Sequence, residues 1–430
     1  MQYSIPKGVF DILPDEPLEE DFWRQSDHWQ YIEEVMRQTA GDYGFKEIRT
    51  PIFERTELFV RGVGETSDIV SKEMYTFEDK AGRSMSLRPE GTASVIRAFV
   101  ENHLHQKGSL HKFFYIGPMF RYERPQSGRY RQHHQFGAEA LGVCSPEQDV
   151  ELIDMVCELY HRLGIRELTV HLNSVGDEAS RTRYKEALQT YLKPHFEKLS
   201  DESKERFSKN VLRILDSKSP QDQALLTGVP SILDHLSPEA KDHFKKVCTL
   251  LEKAKISYVI NPKLVRGLDY YNGTVFEITS GQLGAQNSVG GGGRYDGLVE
   301  AIGGPSVPGI GFATGMERVL QTMTKQGVAF PPAPHPLIFF IPLGEAASAV
   351  CFELLCDLRH KRIAADMDLS GKKVQHGLQL ANQYKADYCA IIGDQELATG
   401  HVQLKHMASR EVETIALSEI FTILRSKRHV

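Results

Sequence analysis

Four arginines, Arg121, Arg124, Arg129 and Arg131, fall within an eleven-residue stretch in which only Glu123 opposes them. A planar guanidinium matches phosphate oxygens two at a time, so this cluster suits a phosphate or nucleic-acid ligand better than plain solvation. The chain as a whole carries a formal net charge of −6. That excludes binding through general basicity and confines an anion site to local patches of this kind. Two apolar segments that alternate with period two flank the cluster. From His111 to Tyr122, the residues Phe113, Tyr115, Gly117, Met119 and Arg121 share one face, with Phe114, Ile116, Phe120 and Tyr122 opposite. After the cluster, His133, Gln135, Gly137 and Glu139 share a face. The pattern predicts an antiparallel hairpin with Arg121 on the same floor as Gln135 and Glu139.

Other segments carry chemistry less distinctively. Arg266 sits among the apolar or small residues Leu264, Val265, Gly267 and Leu268, which points to a cleft rather than open surface. Arg88-Pro89-Glu90-Gly91-Thr92 supplies a carboxylate and a hydroxyl, both able to accept from an ammonium; Thr92 serves equally well as a cap for the apolar-periodic stretch 93–100. Gly309, Gly311 and Gly315 precede Arg318 without dinucleotide spacing, and the chain has no Walker-type Gly-Lys-Ser/Thr loop. Gly290 to Gly293 read as a glycine-rich turn able to approach a ligand closely, or as a flexible loop. His103, His105, His111, His133 and His134 match no common zinc signature, and the last two point to opposite faces of their strand, so no metal cluster is expected. The six cysteines show no paired zinc-ribbon spacing and read as reduced thiols.

The run Phe120-Arg121-Tyr122-Glu123-Arg124-Pro125-Gln126 through Glu139 resembles the second signature motif of class II aminoacyl-tRNA synthetases, in the form found in the histidyl-tRNA synthetase family. Leu264 to Glu277, with Arg266-Gly267-Leu268-Asp269-Tyr270-Tyr271, resembles the histidine-specific signature of that family, and Gly309 to Leu320 resembles the third class II motif. The resemblance implies ATP-dependent activation of L-histidine and its transfer to tRNA(His), with Mg2+ on the triphosphate. Carried over position by position, it places Arg121 and Arg266 on the α-phosphate, with Glu123 and Arg318 completing the ATP site. Glu90, Thr92 and Gln135 take the α-amino group of histidine. Glu139 and Tyr271, with Tyr270 beside them, read the imidazole. Arg124 and Gln126 touch the tRNA acceptor end. Polar readout of this type discriminates by roughly four to five orders of magnitude without an editing domain.

These residues need elements to hold them. A helical rhythm runs from Asp21 to Tyr43, with Phe22, Trp29, Ile32, Val35 and Met36 inward; a strand, 45–50, and Pro51 follow, resembling the first class II motif, which in the family builds a homodimer interface. The sequence predicts a class II catalytic domain over 1–327 with a helical insertion over about 177–255. A stiff proline-rich linker at 328–336 and an anticodon-binding domain at 337–430 follow, the latter with strands and helices alternating. That last part carries eleven Lys or Arg against eleven Asp or Glu from Pro334 to Val430, so its link to RNA rests on resemblance. The expected class is α+β: an antiparallel-sheet catalytic domain with its insertion, plus a C-terminal α/β domain. The N-terminus lacks the apolar stretch of a signal peptide and no run reaches the roughly eighteen apolar residues of a membrane span, so a cytoplasmic protein without a membrane partner is expected. A non-catalytic histidine-binding regulatory paralogue is the runner-up, although such relatives lack the anticodon domain and have a degraded arginine set. A pseudoenzyme module of a larger kinase would require kinase motifs that the chain does not contain, and a different class II synthetase is separated by Glu139 with Tyr271.

Overall fold

The structure is a computed structural model and describes residues 3–15, 19–64, 67–123, 129–281 and 287–427; Arg124 and Gln126 lie outside the described residues. Contacts divide the chain into two compact units, Met1–Pro331 and Pro332–Val430. The class is α+β. In the first unit an eight-stranded sheet runs, in spatial order, Lys46–Glu47, His111–Phe120, Gln132–Leu141, Gly309–Gly315, Ser288–Arg294, Asn272–Ser280, Leu168–Ser174 and Tyr258–Ile260. It is antiparallel except for a parallel pair at each edge.

Alternation sets the two faces. The hairpin pairs Met119 with His133, Gly117 with Gln135, Tyr115 with Gly137 and Phe113 with Glu139. Residues directly opposed in antiparallel strands project to the same side. That face continues through Gly311, Ala313 and Gly315 to Gly291 and Gly293, and then to Val275 and Glu277. The opposite face carries Phe114, Phe136, Ala138, Ile310, Phe312, Phe276 and Ile278, all buried. It packs in one core with residues of the helices Ser26–Asp42, Pro146–Arg162, Pro238–Lys253 and Met316–Lys325. One side of the sheet is therefore sealed by hydrophobic burial, and the glycine-rich side is left to form a trough.

Two N-terminal expectations are corrected. The helix begins at Ser26 after a 3-10 turn, Glu19–Arg24, and Phe22 is 39% exposed, while Trp29, Ile32 and Met36 are buried as expected. Only Lys46–Glu47 of the segment 45–50 pairs as a strand, with one further backbone bond from Ile48 N–H to Phe114 O at 2.8 Å. A separate three-stranded sheet follows, Phe53–Arg55, Ser84–Leu87 and Thr76–Glu78.

Between Leu168–Ser174 and Tyr258–Ile260 the chain makes the helices Glu178–Leu192, Asp201–Lys209, Pro220–Leu225 and Pro238–Lys253. The first three surround a small core with Tyr184, Leu188, Leu192, Ile214 and Leu226. Asp222 is fully buried there and accepts from the hydroxyls of Ser200, Ser203 and Ser217 at 2.6, 2.7 and 2.6 Å. Pro238–Lys253 instead buries Phe244, Val247 and Leu251 in the main core.

The second unit has its own five-stranded sheet in the order Ala365–Met367, Ile338–Pro342, Tyr388–Ile392, His401–His406 and Val412–Ala416. The first three strands are parallel and the last two antiparallel. Ile338, Phe340, Ala390, Val402 and Leu404 bury one face with Cys351, Leu355 and Leu424 of the helices Glu345–His360 and Ile420–Lys427. Phe339 and Ile341 bury the other with Ala381 of Val374–Gln383.

Candidate active site

The trough holds a cavity of about 590 Å³ whose lining includes Arg121, Glu123, His133 and Gln135 from the hairpin region, Arg266 and Glu277 from the histidine-like segment, and Arg318. Arg121 and Arg266, 145 positions apart in the chain, thus line one space. Arg121 is held by its Nε donating to Pro89 O at 2.8 Å, with Glu123 at 4.0 Å. Arg266 lies in the loop between Tyr258–Ile260 and Asn272–Ser280 and donates to Glu277 Oε1 at 3.1 Å. Its Nε is buried with no partner among the described residues, as is Oε1 of Gln135. Buried polar atoms without partners are costly, and in a cavity they mark where a polar ligand would complete the bonding. Burial, with Arg129 nearby, makes the Arg318 guanidinium a weaker base than usual, a condition that an anionic ligand relieves.

The four glycines are corrected from a turn to a central strand, Ser288–Arg294. Their physical reason is steric. A Cβ at Gly291 would stand 2.8 Å from Arg266 Nη1, and one at Gly293 3.0 Å from Tyr271, so the ligand-side pair lets the signature loop lie on the sheet. On the other side a Cβ at Gly290 would meet the Tyr160 hydroxyl at 2.4 Å, and one at Gly292 the Gly311 carbonyl at 2.0 Å.

Glu90, Thr92 and Glu139 are brought together, but in a closed layer rather than among the lining residues of that cavity. The Glu90 carboxylate caps the helix Thr92–Glu101, accepting from the backbone N–H of Thr92 at 2.7 Å and of Ala93 at 2.8 Å. Thr92 is therefore the first helical residue and not its side-chain cap. Its hydroxyl donates to Glu139 Oε1 at 2.7 Å, so its lone pairs remain as acceptors. The other Glu139 oxygen accepts from the Tyr295 hydroxyl. Burial pushes the Glu139 carboxyl up to about 8, against the hydrogen bonds from Tyr295 and Thr92, with Glu90 adding to the rise. Burial likewise raises Tyr270 and Tyr271; Glu90 and Glu139 both act on the two phenols, and Arg266 works in the opposite direction on Tyr271. The Tyr270 and Tyr271 rings lie 4.7 Å apart between centroids, tilted by 51°.

Tyr295 escapes a reading by motif because it follows the glycines, where a turn offers no reason to aim a phenol inward. Glu277 closes the histidine-like signature without a role of its own in the sequence. The signal that could have found both is the register of a glycine strand between two patterned ones. Among the described residues, no cluster of three or more His, Cys, Asp or Glu could hold a metal ion.

The family described as Histidyl-tRNA synthetase matches residues 18–319, and the one described as Anticodon binding domain matches residues 338–427. The histidine–tRNA ligase of Protochlamydia amoebophila is 55% identical over 426 residues, covering 99% of this chain and all of the relative. That of Chlamydia felis is 46% identical over 96% of this chain and 95% of its own. Apo S. aureus histidyl-tRNA synthetase superposes with a TM-score of 0.83 at 36% identity, covering 99% of this chain and 100% of that one. A Bacillus halodurans structure titled as an ATP phosphoribosyltransferase regulatory subunit/histidyl-tRNA synthetase shares the fold with a TM-score of 0.64 at 22% identity over 91% of this chain and 98% of its own. With both the catalytic and the anticodon-binding regions matched, and full-length relatives well above 30% identity, the chain belongs to the histidyl-tRNA synthetase family.

Proposed function

We propose that the protein is a histidine–tRNA ligase in which Arg121 and Arg266 clamp the α-phosphate of ATP. The observation that carries this reading is their shared cavity, with a buried unpartnered nitrogen on Arg266 and a buried unpartnered oxygen on Gln135. In the first step a carboxylate oxygen of histidine attacks the α-phosphorus, the bond to the bridging β-oxygen breaks, and pyrophosphate leaves. Charge on the equatorial phosphoryl oxygens grows at the transition state, and two guanidiniums fixed in place stabilise it without reorganisation. In the second step a ribose hydroxyl of the tRNA terminus attacks the acyl carbon and AMP leaves.

Gln135 Oε1, Thr92 and Glu90 serve as acceptors for the α-ammonium. Glu139, Tyr270 and Tyr271 read the imidazole, with Tyr295 fixing the carboxyl of Glu139. Arg318 takes the γ-phosphate, and Glu123, which pairs with Arg129 at 3.1 Å, orders the cations around the triphosphate. Arg124 and Gln126 meet the acceptor end. Glu123 and Glu277 line the cavity and would offer hard oxygen donors to Mg2+ entering with ATP, which would supply positive charge against the phosphates.

Working as a homodimer fits the apolar surface after Pro51, where Ile52, Phe53 and Phe77 are 46%, 48% and 44% exposed and the last two rings lie 6.3 Å apart. Six free cysteines suit a reducing cytoplasm. Exchange of labelled pyrophosphate into ATP, run with each standard amino acid, tests the reading. Exchange with histidine alone is expected; none at all would favour the regulatory paralogue, and exchange with another amino acid would refute the imidazole pocket.

A further inference from the structure

Away from the phosphate-facing side chains, the insertion is tied to the loop that carries Arg266 by a polar clasp. Asp68, just ahead of the short helical segment Ile69–Glu73, accepts from Arg206 at 3.0 Å and from Arg213 at 3.2 Å. Arg206 belongs to the helix Asp201–Lys209 and Arg213 to the turn Val211–Asp216. Between them, Asn210 Nδ2 donates to Asp269 Oδ1 at 3.0 Å. Asp269 comes three residues after Arg266, and its own N–H donates to Val63 O at 3.1 Å. No side chain separates these segments: a Cβ at Gly64 would lie 2.5 Å from Asp269 Oδ2, and one at Gly267 3.4 Å from Arg213 Nη1.

Several features distinguish the clasp from a surface ion pair. The side chains of Arg213 and Arg206 are only 12% and 18% exposed, so solvent screens them weakly. Burial works against the charge of Asp68, yet Arg206, Arg213 and Lys72 together hold its carboxyl below the usual range. The same stretch of the insertion supplies Leu215 and Asp216 to the wall of the ATP cavity.

We propose that Asp68, Asn210 and Arg213 are positioning residues for histidine activation: by docking the insertion onto Asp68 and Asp269 they fix the loop that holds Arg266 over Gly291. The proposal rests on the reading of Arg266 as an α-phosphate contact. It assigns the insertion a role in the first step of the reaction, before tRNA arrives.

The test is histidine-dependent pyrophosphate exchange by the full chain with Asp68→Asn, with Arg213→Asp, and with Asp68→Arg combined with Arg213→Asp. Each of the first two should lower kcat about tenfold while KM for ATP stays within about twofold, a size within the range of contact couplings. The reversed pair restores attraction between positions 68 and 213 but leaves Arg206 and Lys72 facing a cation, so it should recover part of the lost rate. Thermal unfolding identifies a variant that fails to fold, and Asp68→Asn, which adds no volume, serves if Arg213→Asp does. Unchanged kcat in the folded single variants, or matched losses in kcat and KM without recovery in the pair, would overturn the clasp. Arg266→Ala run alongside separates the two ideas. If it exchanges normally, the α-phosphate reading has failed; if it is slow while Arg213→Asp is not, only the clasp has.

Discussion

Glu139, the proposed imidazole reader, sits in an environment that makes a prediction of its own. It is 1% exposed and takes hydroxyl hydrogen bonds from Thr92 and Tyr295. Because burial raises its folded pKa to about 8 from 4.5, the native state holds a proton that the unfolded chain has lost across that interval. The contribution of Glu139 to stability then falls as pH rises from 4.5 to 8, by at most about 1.4 kcal/mol per pH unit. Thermal unfolding of the ligand-free protein between pH 5 and 8.5 should show this decline, and Glu139→Gln should flatten it. An unchanged slope in the variant would mean that another group titrates. At this scale the sequence was a good guide where alternation was clean: Arg121 and Gln135 were expected on one floor, and both line the cavity. The alternative reading of Thr92 as a helix cap fails because Glu90, two residues earlier, reaches forward to the helix N-terminus.

Among elements, the strand Ser288–Arg294 is the least legible and the most constrained. Period-two reading requires side chains, and four successive glycines display none, so the segment resembles a turn although it is central in the sheet. Its neighbours impose its conformation, through pairing with Asn272–Ser280 on one side and Gly309–Gly315 on the other. Gly292→Ala would push a methyl into the Gly311 carbonyl and Phe312, so it should cost about 3 kcal/mol or more in urea unfolding. A loss under about 1 kcal/mol would show that the strand can shift to make room. In the second unit, the alternation of strands and helices expected over 337–430 is present in the strands 338–342 and 388–392 and the helices 345–360 and 374–383. The hairpin His401–His406 with Val412–Ala416 was not singled out, because its inward residues, Val402, Leu404 and Ile415, are outnumbered by polar outward ones.

On the scale of the whole molecule, each compact unit buries its own core, which makes their functions separable. A protein ending at Pro331 should retain histidine-dependent pyrophosphate exchange within a few-fold and lose most tRNA charging. Comparable loss of both would show that the second unit supports activation as well. No helix among the described residues is long and apolar enough to cross a membrane. The central claim joins two distant parts of the chain at one phosphorus atom, and a structure with a non-hydrolysable histidyl-adenylate analogue tests it most directly. The account predicts guanidinium nitrogens of both Arg121 and Arg266 within hydrogen-bonding distance of the α-phosphoryl oxygens, with Glu139 and Tyr271 facing the imidazole. Either arginine turned away from that phosphate, or an imidazole seated elsewhere, would contradict it.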